Sequence, residues 1–279
     1  MEPLKGLAKP TATPKATEAD LRTEYILTDL HLGQYSWHEE TDEDYDVDKA
    51  VALAAQGIDR LAESVPKTET AILNQMGDFF TADNHLPMTP RGGNILDIDT
   101  RHRRVVRAGV QLARHAVERL LQTHKFVDIR NTPGNHDINS SIILDEALKA
   151  YFEKEPRVTI HDSAKSFWAY RFGKCLVGIG HGHAPKPPKM PGLLAADYPE
   201  WWGETEFKYC RHGHLHNERS FTDMGVKCEG FSTLAAKNAW ESAEGYRSGR
   251  NMVAIVLHKE MGEWERHTAG VKRINDPDT

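Results

Sequence analysis

Apolar residues follow two different periods along this 279-residue chain. Short, nearly unbroken runs read as buried strands: Tyr25-Ile26-Leu27, Phe126-Val127-Asp128-Ile129 and Cys175-Leu176-Val177-Gly178-Ile179. Between the first two, Val47, Val51, Ala54, Ala55, Ile58, Leu61 and Ala62 recur at helical spacing, which predicts a helix over 46–65. A similar stripe predicts a second helix over 100–125. Strands separated by helices give a β-α-β alternation and hence a largely parallel sheet. The segments Phe167–Phe172, 174–180, Phe207–His212 and 252–257 then follow with few helices between them, which predicts a second sheet. Residues 1–20, rich in Lys, Pro, Thr and Ala, have too few large apolar side chains to order themselves and are expected to form a flexible tail. Without a Gly/Ser-rich or Pro-rich linker, residues 21–279 read as a single domain.

Composition sharpens this picture only a little. The formal net charge is −6, and the three cysteines, Cys175, Cys210 and Cys228, are odd in number and widely spaced. They fit reduced, buried thiols better than a disulfide framework. No apolar run approaches the roughly 18 residues that a bilayer span requires. Met1-Glu2-Pro3-Leu4-Lys5 lacks the apolar core of a secretory signal, so a soluble, cytoplasmic protein is expected.

Candidate chemistry changes the picture more. Five clusters of metal-type ligands occur in order: Asp29-Leu30-His31, Gly77-Asp78, Gly134-Asn135-His136-Asp137, Gly180-His181-Gly182-His183 and Gly213-His214-Leu215-His216. Taken singly, each is an ordinary turn sequence. Most follow an apolar run, however, and in α/β sheets ligands gather at the carboxyl ends of strands. Hydrolysis of a phosphate ester needs a nucleophile at neutral pH and positive charge on the phosphoryl oxygens, and a pair of metal ions supplies both. Carboxylate, imidazole and amide oxygen together suit manganese, iron, nickel, cobalt or zinc better than calcium. The absence of thiolate argues against a closed structural zinc site.

In this order the five clusters resemble the calcineurin-like metallophosphoesterase superfamily, over residues from about Tyr25 to His216. The resemblance implies a four-layer α-β-β-α sandwich with two mixed β-sheets and a dinuclear metal centre at the strand ends. It implies that Asp29, His31 and His216 hold one metal, that Asn135, His181 and His214 hold the other, and that Asp78 bridges them. His136 would be a catalytic histidine that is not a ligand. His181 and His183 both compete for the fourth position; His181 is favoured because it is nearer the strand end, leaving His183 facing substrate. Two divalent transition-metal ions are implied, with manganese first among them. A hydroxide shared between the ions would attack phosphorus in line.

Two departures bear on the substrate. Protein Ser/Thr phosphatases of this superfamily place an Asp three residues after the bridging Asp, and nucleases place a His there; this chain has Thr81. Asp83 or Asp137 are candidates to replace the first, and His85 the second. The stretch 81–125 is longer than the connection requires and reads as an insertion. Its helix carries Arg103, Arg107 and Arg114 in one sector, a positive band that suits a polyanion. Trp168, Trp201 and Trp202 are candidate platforms for bases. The expected function is therefore phosphodiester hydrolysis, with DNA or RNA among the candidate substrates and a nuclease among the candidate enzymes. The alternatives are a phosphomonoesterase acting on a nucleotide or small metabolite, and a non-catalytic metal-binding scaffold.

Overall fold

In the computed structural model, the described residues are 6–276 apart from 9, 16 and 162. The strands are β1 (Glu18–Leu27), β2 (Thr68–Gln75), β3 (Phe126–Asn131), β4 (Val158–His161), β5 (Phe167–Phe172), β6 (Cys175–Gly180), β7 (Phe207–His212), β8 (Arg219–Asp223), β9 (Val226–Gly230), β10 (Asn251–His258) and β11 (Gly262–Gly270). The helices are α1 (His38–Thr41), α2 (Val47–Ser64), α3 (His102–Thr123), α4 (Ile138–Phe152), α5 (Met190–Asp197), α6 (Pro199–Glu204), α7 (Ala239–Ala243) and α8 (Val271–Ile274). One sheet has the order β11-β10-β1-β2-β3-β4 and the other β5-β6-β7-β9-β8. Both are mixed: β1 to β4 run parallel, as do β6, β7 and β9, while the remaining pairs are antiparallel.

Strand alternation sorts the apolar side chains into three layers. Tyr25 and Leu27 of β1 point into the cluster formed by α2, α3 and α4, with Ile58, Leu112, Val117, Leu120 and Leu148. Ile26, between them in sequence, points the other way and meets Ile72, Val253, Ile255, Val177 and Ile179 between the two sheets. Beyond the second sheet, Leu176, Cys210, Val226 and Cys228 pack under Met190 and Leu194 of α5. The order of layers is thus α-β-β-α.

Three expectations need correction. The strand over 252–257 belongs to the first sheet: β10 pairs antiparallel with β1 and closes a hairpin with β11. The reason is that both its faces are apolar, with Ala254 and Val256 toward the helices and Val253, Ile255 and Leu257 toward the second sheet, so it needs cover on both sides. Helix α3 is no insertion, because it makes the crossover from β2 to β3 and buries Leu112, Ala116, Val117 and Leu120 in the main core. What is additional lies in the loop that precedes it. The expected tail also differs: β1 begins at Glu18, and the N–H groups of Gly6 and Ala8 donate to the carbonyls of Ala150 and Tyr151. Residues 1–5 lie outside the described residues.

His124, just past α3 on what reads as a solvated helix, is fully buried. Its ring nitrogens contact the Tyr25 hydroxyl at 2.8 Å and the Thr68 hydroxyl at 2.9 Å. Burial pushes its pKa down to about 4 from 6.5. A histidine depressed in the folded state favours the neutral form, so its contribution to stability is complete above pH 6.5 and is lost as pH falls toward 4. The shift corresponds to about 3 kcal/mol. His124→Gln cannot titrate, and its unfolding free energy should fall less steeply between pH 6.5 and 4 than that of the parent in parallel urea melts. Equal slopes would show that this ring does not carry the acid sensitivity.

Candidate metal centre

The five ligand clusters lie where the parallel strands end. Asp29 and His31 follow β1, Asp78 follows β2, Asn135 and His136 follow β3, His181 directly follows β6, and His214 and His216 follow β7. Chain direction alone therefore brings them to one edge of the sandwich. The backbone is forced there: Asp29, His31, Asp78, His214 and His216 all have left-handed φ, between 47° and 69°. That conformation is costly for residues with a Cβ and persists where surrounding structure demands it, which happens mostly at functional sites. Glycine is required beside them. A Cβ at Gly134 would collide with the Asp78 carboxylate and backbone, and one at Gly213 with Thr28 and the Asp29 carboxylate.

Two triads of ligand atoms result, Asp29-His31-His216 and Asp78-His181-His214, and within each the atoms lie no more than 4.8 Å apart. They adjoin one another. His31 Nε2 is 3.1 Å from His216 Nε2, and Asp78 Oδ2 is 3.1 Å from His181 Nε2 and 4.0 Å from His31 Nε2. The Asn135 amide oxygen lies 3.2 Å from His181 Nε2. His183 stands beside this group, its ring 5.1 Å from that of His181, but it joins neither triad.

Hydrogen bonds aim these groups. His181 Nδ1–H donates to the Met76 carbonyl at 2.8 Å, and His216 Nδ1–H to the Glu241 carboxylate at 2.6 Å, so each Nε2 is free to face the centre. Both Asp29 oxygens accept the His214 N–H, and one also accepts the Thr28 hydroxyl. Asp78 Oδ1 accepts the His136 N–H at 2.8 Å. The His136 ring is held by Nδ1–H donating to the Thr81 carbonyl at 2.8 Å and lies edge-on to His31. Neither acidic candidate performs that task. Asp137 is buried and accepts N–H groups of Phe79, Phe80 and Gly134, and Asp83 accepts those of Asn139 and Ser140 at the start of α4.

The charge balance tests whether these residues suit metal ions. Burial raises the Asp29 pKa, but His181 and His216 outweigh it and bring it down to about 2; His181 likewise keeps Asp78 well below the carboxylate range. Burial disfavours charge on His181, yet Asp78 and Asp29 draw its pKa up to about 9. Burial, reinforced by His136 and His216, pushes His31 down to about 3, leaving it a neutral donor. Among the described residues, Asp29 and Asp78 have only imidazoles as ion-pair partners. Two buried carboxylates thus recruit protons onto neighbouring ligands, a demand for positive charge that divalent cations meet. The donors, two carboxylates with four imidazoles and an amide, fit first-row transition metals.

His31, Asp78, Asn135, His136, His214 and His216 line a cleft of about 720 Å³. Its walls include Thr89, Ile95 and Asp97 from the loop before α3, Asn217 and Arg219 after the last cluster, and Trp240 and Tyr246. His85 is exposed, and neither it nor Arg103, Arg107 or Arg114 lines the cleft. Arg114 instead stacks on Tyr151 and hydrogen-bonds its hydroxyl, tying α3 to α4. Trp168 is buried, with its indole N–H on Thr132, while Trp201 stacks on Tyr198 under the second sheet. The tryptophan at the cleft is Trp240. Glu241 carries no donor motif in the sequence, although Asn238-x-x-Glu241 is a legible capping box and both its hydrogen bonds form.

The chain resembles the calcineurin-like metallophosphoesterases in the order and placement of these residues. No family model matches the sequence, and no curated protein is similar to it. Among solved structures, it is similar to an archaeal phosphodiesterase at 13% identity, covering 89% of this chain and 99% of that one with a TM-score of 0.43. It is similar to a dimetal phosphatase from Danio rerio at 9% identity, over 89% and 98% of the two chains, with a TM-score of 0.46. For Yfce, a phosphoesterase from E. coli, the values are 12%, 88%, 98% and 0.43. At such low similarity the chemistry of this chain has to follow from its own residues. Among the described residues, no helix is long and apolar enough to cross a membrane.

Proposed function

We propose that this chain is a metal-dependent phosphodiesterase that uses two divalent ions, manganese foremost. The observation that carries the reading is the pair of adjoining donor triads, four of whose six residues, His31, His216, Asp78 and His214, line one cleft. Asp29, His31 and His216 would hold one ion, Asn135, His181 and His214 the other, and Asp78, within reach of both triads, would bridge. When bound, the ions supply positive charge to the phosphoryl oxygens and make a water nucleophilic at neutral pH. The chain's own residues do the rest. Glu241 and the Met76 carbonyl hold His216 and His181 in the tautomer that leaves Nε2 unprotonated toward the centre. His136 is anchored through Nδ1 on the Thr81 carbonyl, so its Nε2 can carry a proton to the leaving oxygen. A carbonyl anchor fixes that ring without a counter-charge. A diester suits the cleft better than a terminal phosphate alone, because the volume above the floor leaves room for substituents on both sides of phosphorus. The basic face of α3 lies outside the cleft, so a long polyanion is not the favoured substrate.

The test uses protein stripped of metal and reloaded with manganese, nickel, zinc or iron, assayed on a generic phosphodiester and a generic phosphomonoester. Faster turnover of the diester is expected, and a clear preference for the monoester would overturn the diesterase reading. His136→Ala should retain both metals by elemental analysis while kcat falls by about 10²–10⁴-fold, the usual contribution of a positioned acid. Loss of a metal in that variant would make His136 a ligand instead.

A further inference from the structure

The short helix α7 joins two functions in adjacent residues. Glu241 accepts the Nδ1–H of His216, and Trp240 beside it places its ring on the cleft wall. Trp240 is 60% exposed and Tyr246 40%, and their ring centroids are 5.6 Å apart at an interplanar angle of 40°. Large aromatic surface left open to water carries a hydrophobic cost that a planar ligand removes. The two rings are too close to admit a third between them, so they make a shelf against whose exposed indole a planar ligand would lie. Around the shelf stand the amides of Asn94, Asn217 and Asn238, each able to donate and accept. The Asn217 side-chain oxygen is buried without a hydrogen-bond partner, and Asn238 uses only its oxygen, on the Glu241 N–H. Arg219 lines the same cleft, is exposed, and has no carboxylate partner among the described residues.

From this juxtaposition we infer that Trp240 and Tyr246 select the substrate by stacking a nucleobase, so that the preferred diester is a small nucleoside phosphodiester. The inference rests on the phosphodiesterase reading above. A flat heteroaromatic ring with a hydrogen-bonding edge matches an indole face rimmed by amides, whereas an aliphatic or sugar substituent matches only the rim. Because α7 carries both Trp240 and Glu241, the partner of His216, the stacking ring and one donor of the centre are tied to the same short helix.

Thymidine 5′-(p-nitrophenyl phosphate) and methyl p-nitrophenyl phosphate share a leaving group and differ only in the nucleoside. For the manganese-loaded protein, kcat/KM should favour the thymidine ester, and Trp240→Ala should reduce that ratio by about tenfold to a hundredfold, the range that base stacking supplies. Most of the reduction should lie in KM, and Trp240→Phe should restore much of the ratio. An unchanged ratio would overturn the inference, whether both rates persist or both fall together through His216. If neither ester is hydrolysed, the diesterase reading fails by itself. The shelf is then judged by titrating the metal-free protein with thymidine: quenching of tryptophan fluorescence that disappears in Trp240→Ala supports it, and no quenching overturns it.

Discussion

Asp78→Asn is expected to lower turnover on the order of 10³-fold while leaving the fold intact. The carboxylate lies within 3.1 Å of His181 Nε2 and 4.0 Å of His31 Nε2, so it is the anionic donor placed to serve both triads. Metal ions contribute several kcal/mol of charge stabilisation to the transition state, and several kcal/mol corresponds to about three powers of ten. Asparagine keeps the oxygen that accepts the His136 N–H, and therefore the local turn. What it removes is the negative charge that neutralises the second ion. Elemental analysis should show less than two metals per chain, and a thermal melt of the metal-free variant should stay close to that of the metal-free parent. Two tightly bound metals with full turnover would remove Asp78 from the bridging role.

The clusters of candidate donors that the fold brings together were legible in the sequence because each is local: an apolar run, a turn and a donor-type residue within a few positions, repeated in one order. What aims those donors was much less legible. Glu241 reaches His216 across 25 residues, and its capping box announces a helix start without saying what the other carboxylate oxygen touches. The anchor of His136 is a backbone carbonyl, at Thr81, which no side-chain pattern can mark. Sheet assignment failed at β10 for a similar reason, since a strand apolar on both faces fits the interior of either sheet, and only its hairpin with β11 and its register on β1 decide. The helix α3 misled in the opposite direction. Its arginines are conspicuous, but three of them are engaged by other elements: Arg104 by Asp48, Arg114 by Tyr151, and Arg119 by Asp59 and Glu63.

Arg211 shows how much a buried contact can hide in a strand that reads as ordinary. The side chain is wholly buried between the sheets, where it meets Glu229 of the neighbouring β9 and, at 3.3 Å, Glu24 of β1 in the opposite sheet. Removing one partner from such a cluster leaves an uncompensated buried charge, which typically costs about 3–5 kcal/mol. Glu229 keeps Arg266 and Lys227, whereas Glu24 has no second cation among the described residues, so Glu24 is the group left exposed to the loss. Arg211→Met should therefore lower Tm by roughly 10 °C. Adding Glu24→Gln to Arg211→Met should recover about half of the lost stability, because the amide can still pair with Asn74 while carrying no charge. If Arg211→Met melted with the parent, the bridge between the sheets would contribute only what its replacement by apolar packing returns.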